Sequence, residues 1–549
     1  MTRMTCGTAI VKTLQQYGVD TVFGVPGAQT YDFFDAIAQA DPPIRYIGAR
    51  HEQSTAYMAF GYAKATGRVG VYSVVPGPGM LNSAAALCSA YGASTPILCV
   101  TGHVPTQFIG SGKGALHELP DQLATLRSLT KWAGRIDHPA QAPEQVAEAF
   151  RQMLSGRPQP AALEIPWDIL AMSGEVDLPP AVAPLPAPTP DQAQIDAAIA
   201  LLKAARNPMI MVGGGALHAA REVLALAELL QAPVVSFRSG RGIVSDAHHL
   251  GFNCAEGALR WPETDVLIGI GSRMELSWAR WTGPARPQNL KLIRIDIDPK
   301  EMIRHRADAA ILADAVTGTA ALTAACAAEG ILAPSREAEF SRLKHNRRAE
   351  IQKKLQPEAD YLRVIRERLP QDGFFVEEVS QVGFSSYVSF PVYSPRTFVT
   401  CGYQGTLGFG FPTALGVKLA HPDRPVVAIS GDGGFMFGMQ ELATAAQYDI
   451  GLVTIVFNNH SYANIRRDQK RFYQGHLLGA DLQNPDFVAL ARAFGVDGYR
   501  VDSPAALGPC LEQALVKGAP ALIEVEVAID SEASPWQFLM PGTAYGAAP

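Results

Sequence analysis

The sequence predicts an α/β protein made of three parallel, helix-covered sheets. Apolar runs of strand length alternate with helical segments along the chain, and most of these runs break into a turn rich in glycine or proline. Several runs are apolar throughout, as strands buried on both faces are, and lack the alternation of a sheet with one wet face. A chain of 549 residues is also too long for a single core, so three units are expected.

The first unit is placed at residues 1–175. Residues 21–27 predict a strand that breaks into a Pro-Gly turn, and residues 50–63 predict a helix built from small side chains. Residues 69–75 and 96–101 predict buried strands, the first of which ends in a Pro-Gly-Pro-Gly turn. Alternation of this kind is typical of a parallel sheet covered by helices.

A proline-rich segment separates this unit from the next. Residues 176–192 have the sequence VDLPPAVAPLPAPTPDQ, a composition that excludes a helix or a central strand and predicts a semi-rigid linker. The middle unit, residues 193–334, contains four strand-to-turn signals, at 208–215, 232–235, 266–273 and 292–299, and is predicted to hold a second parallel sheet. Residues 335–357 are charged and predict a solvated connecting helix, and the third unit follows at residues 358–549.

Composition excludes several classes of partner. The net charge of −6 argues against nucleic acid or an anionic membrane as the main partner, and no apolar run approaches the ~20 residues of a transmembrane helix. The N-terminus has no apolar signal core, so a cytoplasmic protein is expected. Seven cysteines are scattered without a C-x-x-C pair, which predicts reduced core thiols and neither a zinc site nor a disulfide frame.

The strongest functional signal lies at the ends of two apolar runs in the third unit. Asp432 lies in a Gly-Asp-Gly turn that follows residues 426–430, and Asn459 ends an Asn-Asn pair that follows residues 452–457. Because the carboxyl ends of parallel strands meet at one edge of a sheet, both side chains are expected there. A carboxylate, an amide oxygen and nearby carbonyls suit Mg²⁺, and the glycine-rich turn entering a helix suits a diphosphate.

Two long segments resemble signature segments of thiamine-diphosphate enzymes. GDGGFMFGMQELATAAQYDIGLVTIVFNN resembles their cofactor motif, and RHEQSTAYMAFGYAKATGRVGV resembles the segment that carries their N-terminal glutamate. Shorter segments occur in the family's order, namely GVPGAQTYDFF, VPGPGMLN, GRPQPAALEIPWDIL, GGG, DIDP and GYQGTLGFGFPTALG. The chain is identified as a member of the superfamily of acetolactate synthase, benzaldehyde lyase and benzoylformate decarboxylase, most similar in pattern to acetolactate synthase large subunits.

The resemblance implies a fold and a set of site residues. The three domains would be an N-terminal pyrimidine-binding domain, a middle Rossmann-like domain and a C-terminal diphosphate-binding domain. Glu52 would hydrogen-bond the aminopyrimidine of thiamine diphosphate and promote its imino tautomer, and Leu407 would bend the cofactor. Asp432, Asn459 and the carbonyl of Ser461 would ligate Mg²⁺. The other cofactor-binding positions that the resemblance implies are Gly27, Asn82, Gly405, Gly431, Gly433, Gly434 and Tyr462.

The implied activity is that of a carboligase or decarboxylase acting on a 2-oxo acid. In the family the cofactor adds to the carbonyl, CO₂ is lost, and the resulting acyl-anion (enamine) equivalent passes to an acceptor carbonyl or a proton. A lyase acting on a 2-hydroxy ketone and a simple decarboxylase are the alternatives. The resemblance also implies a homodimer or homotetramer whose active sites lie at the subunit interface.

A flavin or nicotinamide oxidoreductase is the rival interpretation of the middle unit. The glycines at 213–215 follow a predicted strand, but they do not form a G-x-G-x-x-G motif. Acetolactate synthases that bind FAD carry sequence patterns that residues 250–254 and 271–275 lack. FAD is therefore less favoured than a packing role for these glycines.

Segments that select the substrate depart from those of biosynthetic acetohydroxyacid synthases. Residues 465–469 are Ile-Arg-Arg-Asp-Gln in place of a Val-Arg-Gln-Trp-Gln-type run, so Asp468 stands where a tryptophan is usual. Arg466 and Arg467 are interpreted either as ligands of a substrate carboxylate or as solvent-facing charges beside Asp468.

Two histidines also stand where the family carries glutamine. His103 takes the place of a glutamine in a Gly-Gln-Val-Pro segment, and His117 that of the glutamine in a Phe-Gln-Glu segment. Because imidazole titrates near neutrality, each is a candidate catalytic proton shuttle, and the alternative for each is a hydrogen-bonded surface residue.

Overall fold

The computed structural model describes residues 1–283 and 287–546. Residues 284–286 of the predicted middle unit and residues 547–549 of the predicted third unit lie outside the described residues. The described chain forms three six-stranded sheets in which every strand pairing is parallel. The predicted α/β fold with three parallel sheets is therefore confirmed.

The first sheet is built from strands between residues 21 and 166. The strands here are β1 (Thr2–Thr5), β2 (Thr21–Gly24), β3 (Arg45–Gly48), β4 (Gly70–Val74), β5 (Ile97–His103), β6 (Trp132–Arg135), β7 (Ala161–Pro166) and β8 (Ser173–Val176). The helices are α1 (Cys6–Gln16), α2 (Tyr31–Ala38), α3 (Glu52–Thr66), α4 (Pro78–Asn82), α5 (Ala84–Gly92), α6 (Gln122–Leu129), α7 (Ala142–Leu154) and α8 (Trp167–Ala171). The sheet runs in the order β3-β2-β4-β5-β7-β6, and β1 and β8 form a separate antiparallel pair.

The proline-rich segment has neither helix nor strand from 177 to 191, and a second sheet follows. Its strands are β9 (Pro208–Val212), β10 (Val234–Ser236), β11 (Gly251–Asn253), β12 (Val266–Ile270), β13 (Lys291–Asp296) and β14 (Ala309–Leu312). The helices are α9 (Gln192–Ala204), α10 (Ala220–Leu230), α11 (Cys254–Arg260), α12 (Pro299–Arg304) and α13 (Ala315–Ala328). The order β11-β10-β9-β12-β13-β14 is that of dinucleotide-binding folds, so this sheet is Rossmann-like.

The charged helix, α14 (Glu337–Lys354), is docked on the middle unit on one side. Lys344 is buried and donates from Nζ to the Asp246 carbonyl at 3.1 Å, and Arg348 pairs with buried Glu256 at 2.6 Å. The expectation of a solvated helix is therefore wrong for this face. Charged side chains can be buried there because carbonyl and carboxylate partners meet them.

The third sheet follows this helix. Its strands are β15 (Phe374–Val376), β16 (Phe398–Val399), β17 (Val426–Gly431), β18 (Val453–Asn458), β19 (Asp497–Val501) and β20 (Ala521–Glu526). The helices are α15 (Glu358–Arg368), α16 (Gln381–Ser389), α17 (Gly410–Ala420), α18 (Asp432–Phe435), α19 (Leu442–Gln447), α20 (Ala463–Phe472), α21 (Phe487–Ala493), α22 (Pro504–Lys517) and α23 (Trp536–Leu539). The order β16-β15-β17-β18-β20-β19 repeats that of the first sheet, numbered along the chain as 2-1-3-4-6-5.

The first and third sheets share one hydrophobic core through helices α3 and α17. Small residues let the two backbones approach closely: a Cβ added at Gly61 would lie 2.1 Å from the Thr413 carbonyl oxygen. Around this contact, the ring of Phe409 packs edge-on against Tyr57 at 5.7 Å and Phe60 at 5.5 Å between centroids. This packing fixes α3, which begins at Glu52, against the third sheet.

The structure also bears on the expectations about the cysteines and about membrane-spanning helices. All seven cysteines are unpaired and five of them are buried, which agrees with the prediction of reduced core thiols. Within residues 1–283 and 287–546, no helix combines the length and the apolar character needed to cross a membrane.

Candidate active site

The Gly-Asp-Gly turn lies at the carboxyl end of β17, beside the end of β18. Gly431 pairs in register with Phe457, so Asp432 and Asn459 lie just beyond neighbouring strand ends. The side chain of Asp432 is 2% exposed, and burial raises its pKa. The structure thus places the two residues of the strongest sequence signal at one sheet edge.

A residue that sequence analysis missed joins these strand ends. Asn484 donates from Nδ2 to Asp432 Oδ2 at 2.7 Å and to Asn458 Oδ1 at 2.9 Å. It lies in a loop that crosses the turn, where the Leu482 N–H donates to the His460 carbonyl at 2.8 Å. Its partners are 52 and 26 residues earlier in the chain, so no local pattern could have identified it.

Asn459 is held by partners on both sides of its amide. Its Oδ1 accepts from the backbone N–H and the hydroxyl of Ser461 at 3.0 and 3.1 Å, and its Nδ2 donates to Glu532. Burial, followed by the charge of Asp432, raises the pKa of Glu532 to about 7. Neighbouring carboxyl groups together with amide and carbonyl oxygens form a negatively charged oxygen set, and these residues fit a hard cation such as Mg²⁺.

The oxygen set depends on amide and backbone groups as well as carboxylates. Across the described ranges, no three or more His, Cys, Asp or Glu side chains are grouped so that they could hold a metal ion. Asn459 and the Ser461 carbonyl would therefore be needed beside Asp432, as the resemblance implies.

Two of the predicted cofactor glycines have open backbone. A Cβ added at Gly431, next to Asp432, would meet only Ser380, at 3.3 Å, and one at the exposed Gly405, in the loop that carries Leu407, would have nothing within 4 Å. A Cβ at Gly433, in contrast, would lie 2.4 Å from the ring of Tyr462, which packs directly on the turn. Backbone that a ligand can approach this closely fits the oxygens of a diphosphate.

The helix predicted after the turn is broken. α18 spans only Asp432–Phe435, and a 3₁₀ turn at Met439–Glu441 separates it from α19. Gly438 lies at the break, and Gly433 and Gly434 weaken the short helix before it, because each glycine costs a helix roughly 1 kcal/mol relative to alanine.

A buried carboxyl group that sequence analysis missed lies beneath the turn. Glu378 accepts hydrogen bonds from the N–H groups of Phe409 at 3.2 Å and Gly410 at 2.7 Å. A Cβ added at Gly434 would lie 3.3 Å from its carboxyl carbon, and burial raises the pKa of Glu378 to about 8. Glu378 therefore connects the loop that carries Leu407 to the glycine turn.

Leu407 lies between two glycines whose backbone is left-handed. Gly405 has a φ of 58° and Gly408 a φ of 77°, so this loop turns sharply at both places. A Cβ at Gly408 would lie 3.4 Å from the side-chain nitrogen Nε2 of Gln53, the residue after Glu52. The loop with Leu407 is therefore close to the first turn of α3.

Glu52 is the first residue of α3, and its carboxylate faces α4. Asn82 donates from Nδ2 to Glu52 Oε2 at 2.9 Å, and a Cβ added at Gly79 would lie 3.4 Å from Oε1. Asn82, predicted to bind the cofactor, thus contacts the predicted catalytic glutamate in this structure. The predicted Gly27 lies after β2, where its N–H donates to Thr30 Oγ1 at 3.2 Å.

The third sheet also holds the start of α3 in place. The Glu441 carboxylate accepts hydrogen bonds from the backbone N–H groups of Arg50 and His51, each at 3.1 Å. Thr444 donates its hydroxyl to the same carboxylate at 2.6 Å. Sequence analysis missed Glu441, because its partners lie about 390 residues earlier in the chain.

The two candidate histidines lie at the carboxyl edge of the first sheet in different surroundings. His103 ends β5 and is 3% exposed, and burial lowers its pKa. Its Nδ1 has no hydrogen-bond partner within the described residues, so the surface interpretation is wrong. His117 has a left-handed backbone with φ of 66°, and its Nδ1 lies 3.0 Å from Gln29 Oε1.

Both guanidinium groups of the substrate-selecting segment have partners in the chain. Arg466 pairs with Asp481 and with Asp530, at 3.1 Å in the second case. Arg467 pairs with Asp468 at 2.6 Å and stacks over the ring of Trp536. The side chains of Arg466 and Arg467 are 13% and 20% exposed, so neither is a freely solvated charge, but Arg467 does lie beside Asp468 as that interpretation expects.

A cavity of about 280 Å³ lies at the carboxyl edge of the middle sheet. The glycine cluster lines it, but its backbone packs on the next loop: the Gly215 N–H donates to the Gly271 carbonyl at 3.0 Å. A Cβ at Gly213 would lie 2.5 Å from the same oxygen. Pockets that enclose drug-sized ligands measure roughly 300–1,000 Å³, and a second cavity of about 130 Å³ adjoins this one at Gly214, Gly215 and Gly271.

Three parts of the chain match sequence models of thiamine pyrophosphate enzymes. Residues 4–125 match the N-terminal TPP binding domain, residues 195–322 the central domain and residues 379–525 the C-terminal TPP binding domain. Together these matches include all the strands of the second sheet and most strands of the other two.

Curated relatives align with nearly the whole chain. A protein of Pseudomonas aeruginosa named probable 2-ketoarginine decarboxylase AruI is 35% identical over 510 residues, covering 90% of this chain and 88% of its own. A probable acetolactate synthase large subunit of Methanocaldococcus jannaschii is 34% identical, covering 94% of this chain and 91% of its own. The acetolactate synthase isozyme 1 large subunit of Escherichia coli is 31% identical, covering 99% and 97% respectively.

Proposed function

The chain belongs to the thiamine pyrophosphate enzymes of the acetolactate synthase-like type, which form or cleave C–C bonds, and from this premise we propose its reaction. The proposed protein is a thiamine-diphosphate- and Mg²⁺-dependent enzyme that decarboxylates a 2-oxo acid and transfers the acyl fragment to an acceptor carbonyl. The acetolactate synthase names of relatives that align over more than nine-tenths of the chain support carboligation as the outcome.

One observation carries this proposal: Asp432 and Asn459 lie at neighbouring strand ends, beside glycine backbone that is open to a ligand. Asp432, Asn459 and the Ser461 carbonyl would hold Mg²⁺, and the backbone at Gly405 and Gly431 would receive the diphosphate. When bound, thiamine diphosphate supplies a nucleophilic carbon that adds to the carbonyl of a 2-oxo acid and takes up the electron pair left by CO₂.

Glu52 is proposed to act on the aminopyrimidine end of the cofactor. The Asn82 amide occupies one carboxylate oxygen, and the other lies beside Gly79, where there is no side chain to block a ligand. A positioned acid or base contributes about 10²–10⁴ in rate. Glu52→Gln is expected to fold and bind thiamine diphosphate but to lose activity on that scale, and near-full activity would refute the assignment.

The proposed site for Mg²⁺ and the diphosphate is tested by measuring cofactor affinity. Asp432→Ala is expected to abolish Mg²⁺-dependent binding of thiamine diphosphate, measured by titration calorimetry. Asp497→Asn is the matched control, because Asp497 begins β19 at the opposite edge of the same sheet and pairs with Lys517. Unchanged thiamine-diphosphate affinity in Asp432→Ala would contradict the proposed Mg²⁺ and diphosphate site.

A simple decarboxylase is the second candidate, and the similarity to the probable 2-ketoarginine decarboxylase favours it. The loaded wild-type enzyme should be assayed with pyruvate, 2-oxobutyrate, benzoylformate and 2-ketoarginine, scoring CO₂, aldehyde and acyloin. Acyloin would support carboligation, and CO₂ with an equal amount of aldehyde would support simple decarboxylation. Cleavage of 2-hydroxy ketones without turnover of any 2-oxo acid would contradict both and support a lyase.

We also propose that the active sites lie between the subunits of a homodimer or homotetramer. Leu81, beside Asn82, and Ile465, in the helix after Ser461, expose 44% and 50% of their surfaces, which supports a covering partner. Glu52→Gln and Asp432→Ala co-expressed in one cell test this. If one subunit supplies Glu52 and the other Asp432, each mixed dimer keeps one intact site of its two. Random pairing makes about half of the dimers mixed, so the co-expressed pool recovers about a quarter of wild-type activity. No recovery would place both residues of each site in one chain.

Two further expectations complete the proposal. The closely packed glycines support a middle unit that functions without FAD, and a purified protein without flavin absorbance in the visible range is the expected result. The seven unpaired cysteines support a reducing, cytoplasmic location, which cell fractionation would test.

A further inference from the structure

Two non-glycine residues with left-handed backbone meet at the carboxyl edge of the first sheet. Gln29 has a φ of 71° and His117 a φ of 66°, and Gln29 is 2% exposed. Non-glycine residues rarely adopt this conformation, and where they do, the strain is often part of a functional site. Their side chains form a direct hydrogen bond between Gln29 Oε1 and His117 Nδ1, at 3.0 Å.

The direction of this hydrogen bond follows from a third group. Gln29 also contacts the carbonyl oxygen of Leu116 at 2.8 Å, and a carbonyl only accepts. The amide must therefore point its Nε2 at Leu116, which leaves Oε1 for His117. Because Oε1 cannot donate, Nδ1 of His117 must carry the proton. In the neutral imidazole the lone pair then lies on Nε2.

Close packing prevents the pair from rearranging. A Cβ added at Gly102 would lie 2.2 Å from the Gln29 carbonyl oxygen, and one at Gly77 would lie 2.6 Å from the His117 carbonyl oxygen. Both glycines therefore hold the main chain of the pair in direct contact. Gly77 is two residues before Gly79, which adjoins Glu52, so the imidazole is fixed at the sheet edge that carries Glu52.

We propose that Gln29 is a positioning residue that locks His117 in the Nδ1–H tautomer, so that His117 Nε2 exchanges protons with the substrate. This inference rests on the proposed function. Nε2 takes the proton of a substrate hydroxyl as that oxygen becomes a carbonyl and the C–C bond at the same carbon breaks, its electron pair staying on the departing carbon. The imidazolium then returns the proton to product or solvent. In the reverse direction Nε2–H gives the proton to a carbonyl oxygen. Nδ1–H stays on Gln29 Oε1 throughout.

The first test reads the tautomer and needs no activity. Full-length protein labelled with ¹⁵N-histidine is examined by NMR at pH 8, above the ordinary imidazole pKa of about 6.5. The His117 signals are identified by their loss in His117→Gln. The expected result is a protonated Nδ1 and an unprotonated Nε2, with a shift towards the Nε2–H form in Gln29→Met. An Nε2–H form in the wild type, or no change in Gln29→Met, would overturn the inference.

The chain supplies an internal control for this measurement. His138 Nδ1 accepts the Ala140 N–H at 3.2 Å, and His51 Nδ1 accepts the Gln53 N–H at 3.2 Å. When neutral, these two histidines must carry the proton on Nε2, opposite to His117. Their signals should show that tautomer and should not respond to Gln29→Met.

The second test is a double-mutant cycle on turnover. His117→Gln is expected to lower kcat by about 10²–10⁴-fold and Gln29→Met by about tenfold, with thiamine-diphosphate affinity unchanged in both. Because Gln29 acts through His117, Gln29→Met should have no further effect in the His117→Gln background. If the losses in kcat of the two single variants multiplied in the double variant, the positioning role of Gln29 would be refuted. A wild type inactive on every 2-oxo acid would refute the proposed function instead, while the NMR test would still decide the tautomer.

Discussion

The contact between α3 and α17 gives a prediction whose size follows from the structure. In Gly416→Ala the new Cβ would lie 2.0 Å from the Met58 carbonyl oxygen. Contacts below 3.0 Å are essentially never adopted, so the helices must separate by about 1 Å. Because the obstacle is backbone, no rotamer change can relieve it.

The expected loss in the free energy of unfolding is the difference between two effects. Overpacking a tight contact costs about 1–3 kcal/mol, and the upper value applies where only backbone can move. Alanine regains about 1 kcal/mol over glycine within a helix. Gly416→Ala should therefore lose about 2 kcal/mol in the free energy of unfolding, measured by urea denaturation. Because α3 begins at Glu52, the variant should also bind thiamine diphosphate more weakly.

Gly508→Ala is the matched control for this substitution. Gly508 is a buried glycine of α22, but its nearest atom is the flexible guanidinium end of Arg368, at 3.2 Å. This side chain can move, so the control should be neutral or gain up to about 1 kcal/mol from helix propensity. If Gly416→Ala matched the control in stability and cofactor affinity, the claim that α3 is fixed by this contact would be refuted.

Three further predictions concern buried polar groups. Burial raises the Glu378 pKa from about 4.5 to about 8, so the folded state keeps a proton that the unfolded state releases, and stability falls as pH rises through that window. Relative to Glu378→Gln, the wild type should lose about 2 kcal/mol between pH 6 and 8 in urea denaturation. Asp246→Ala would remove the carboxylate that lies 2.5 Å from buried Arg241 and should lower the free energy of unfolding by about 3–5 kcal/mol. Lys203→Ala, which breaks an exposed ion pair with Glu329, should lower it much less. Asn484→Ala should weaken Mg²⁺ binding, since Asp432 loses its orienting donor, and unchanged affinity would contradict this.

The sequence predicted those parts of the fold that are long enough to carry a pattern. In the middle sheet, the strands containing Met209, Val235, Leu267 and Ile293 were recognised from apolar runs, whereas β11 and β14 were not. β11 is Gly-Phe-Asn and β14 is Ala-Ala-Ile-Leu, so both hold few β-branched residues, whereas the equally short β10 begins with two valines. β16, with two residues, exists only because β15 pairs with it. The strand order that the first and third sheets share could not be predicted from the sequence, because order depends on contacts between distant segments.

The residues of the candidate site also fall into those that the sequence could predict and those that it could not. Asp432 and Asn459 could be found because each is separated by a single residue from the end of an apolar run, and the two residues are only 27 positions apart. Asn484 and Glu532 contact them from loops that carry no motif, and Glu441 is conspicuous only once its partners at the start of α3 are known. The two ion pairs of Arg466 were missed for the same reason, since Asp481 and Asp530 lie 15 and 64 residues further along the chain.

These ion pairs bear on how a substrate would be selected. Arg466 and Arg467 each meet an acidic partner, so a substrate carboxylate would have to displace an existing pair to bind either one. Breaking such a pair offsets the gain from the new one, which disfavours selection by charge at this edge. His117 differs, because its Nδ1 is committed to Gln29 and its Nε2 is left to act as an acceptor. Substrate discrimination in this chain should therefore respond more to substitutions around His117 than to charge reversal at Arg466.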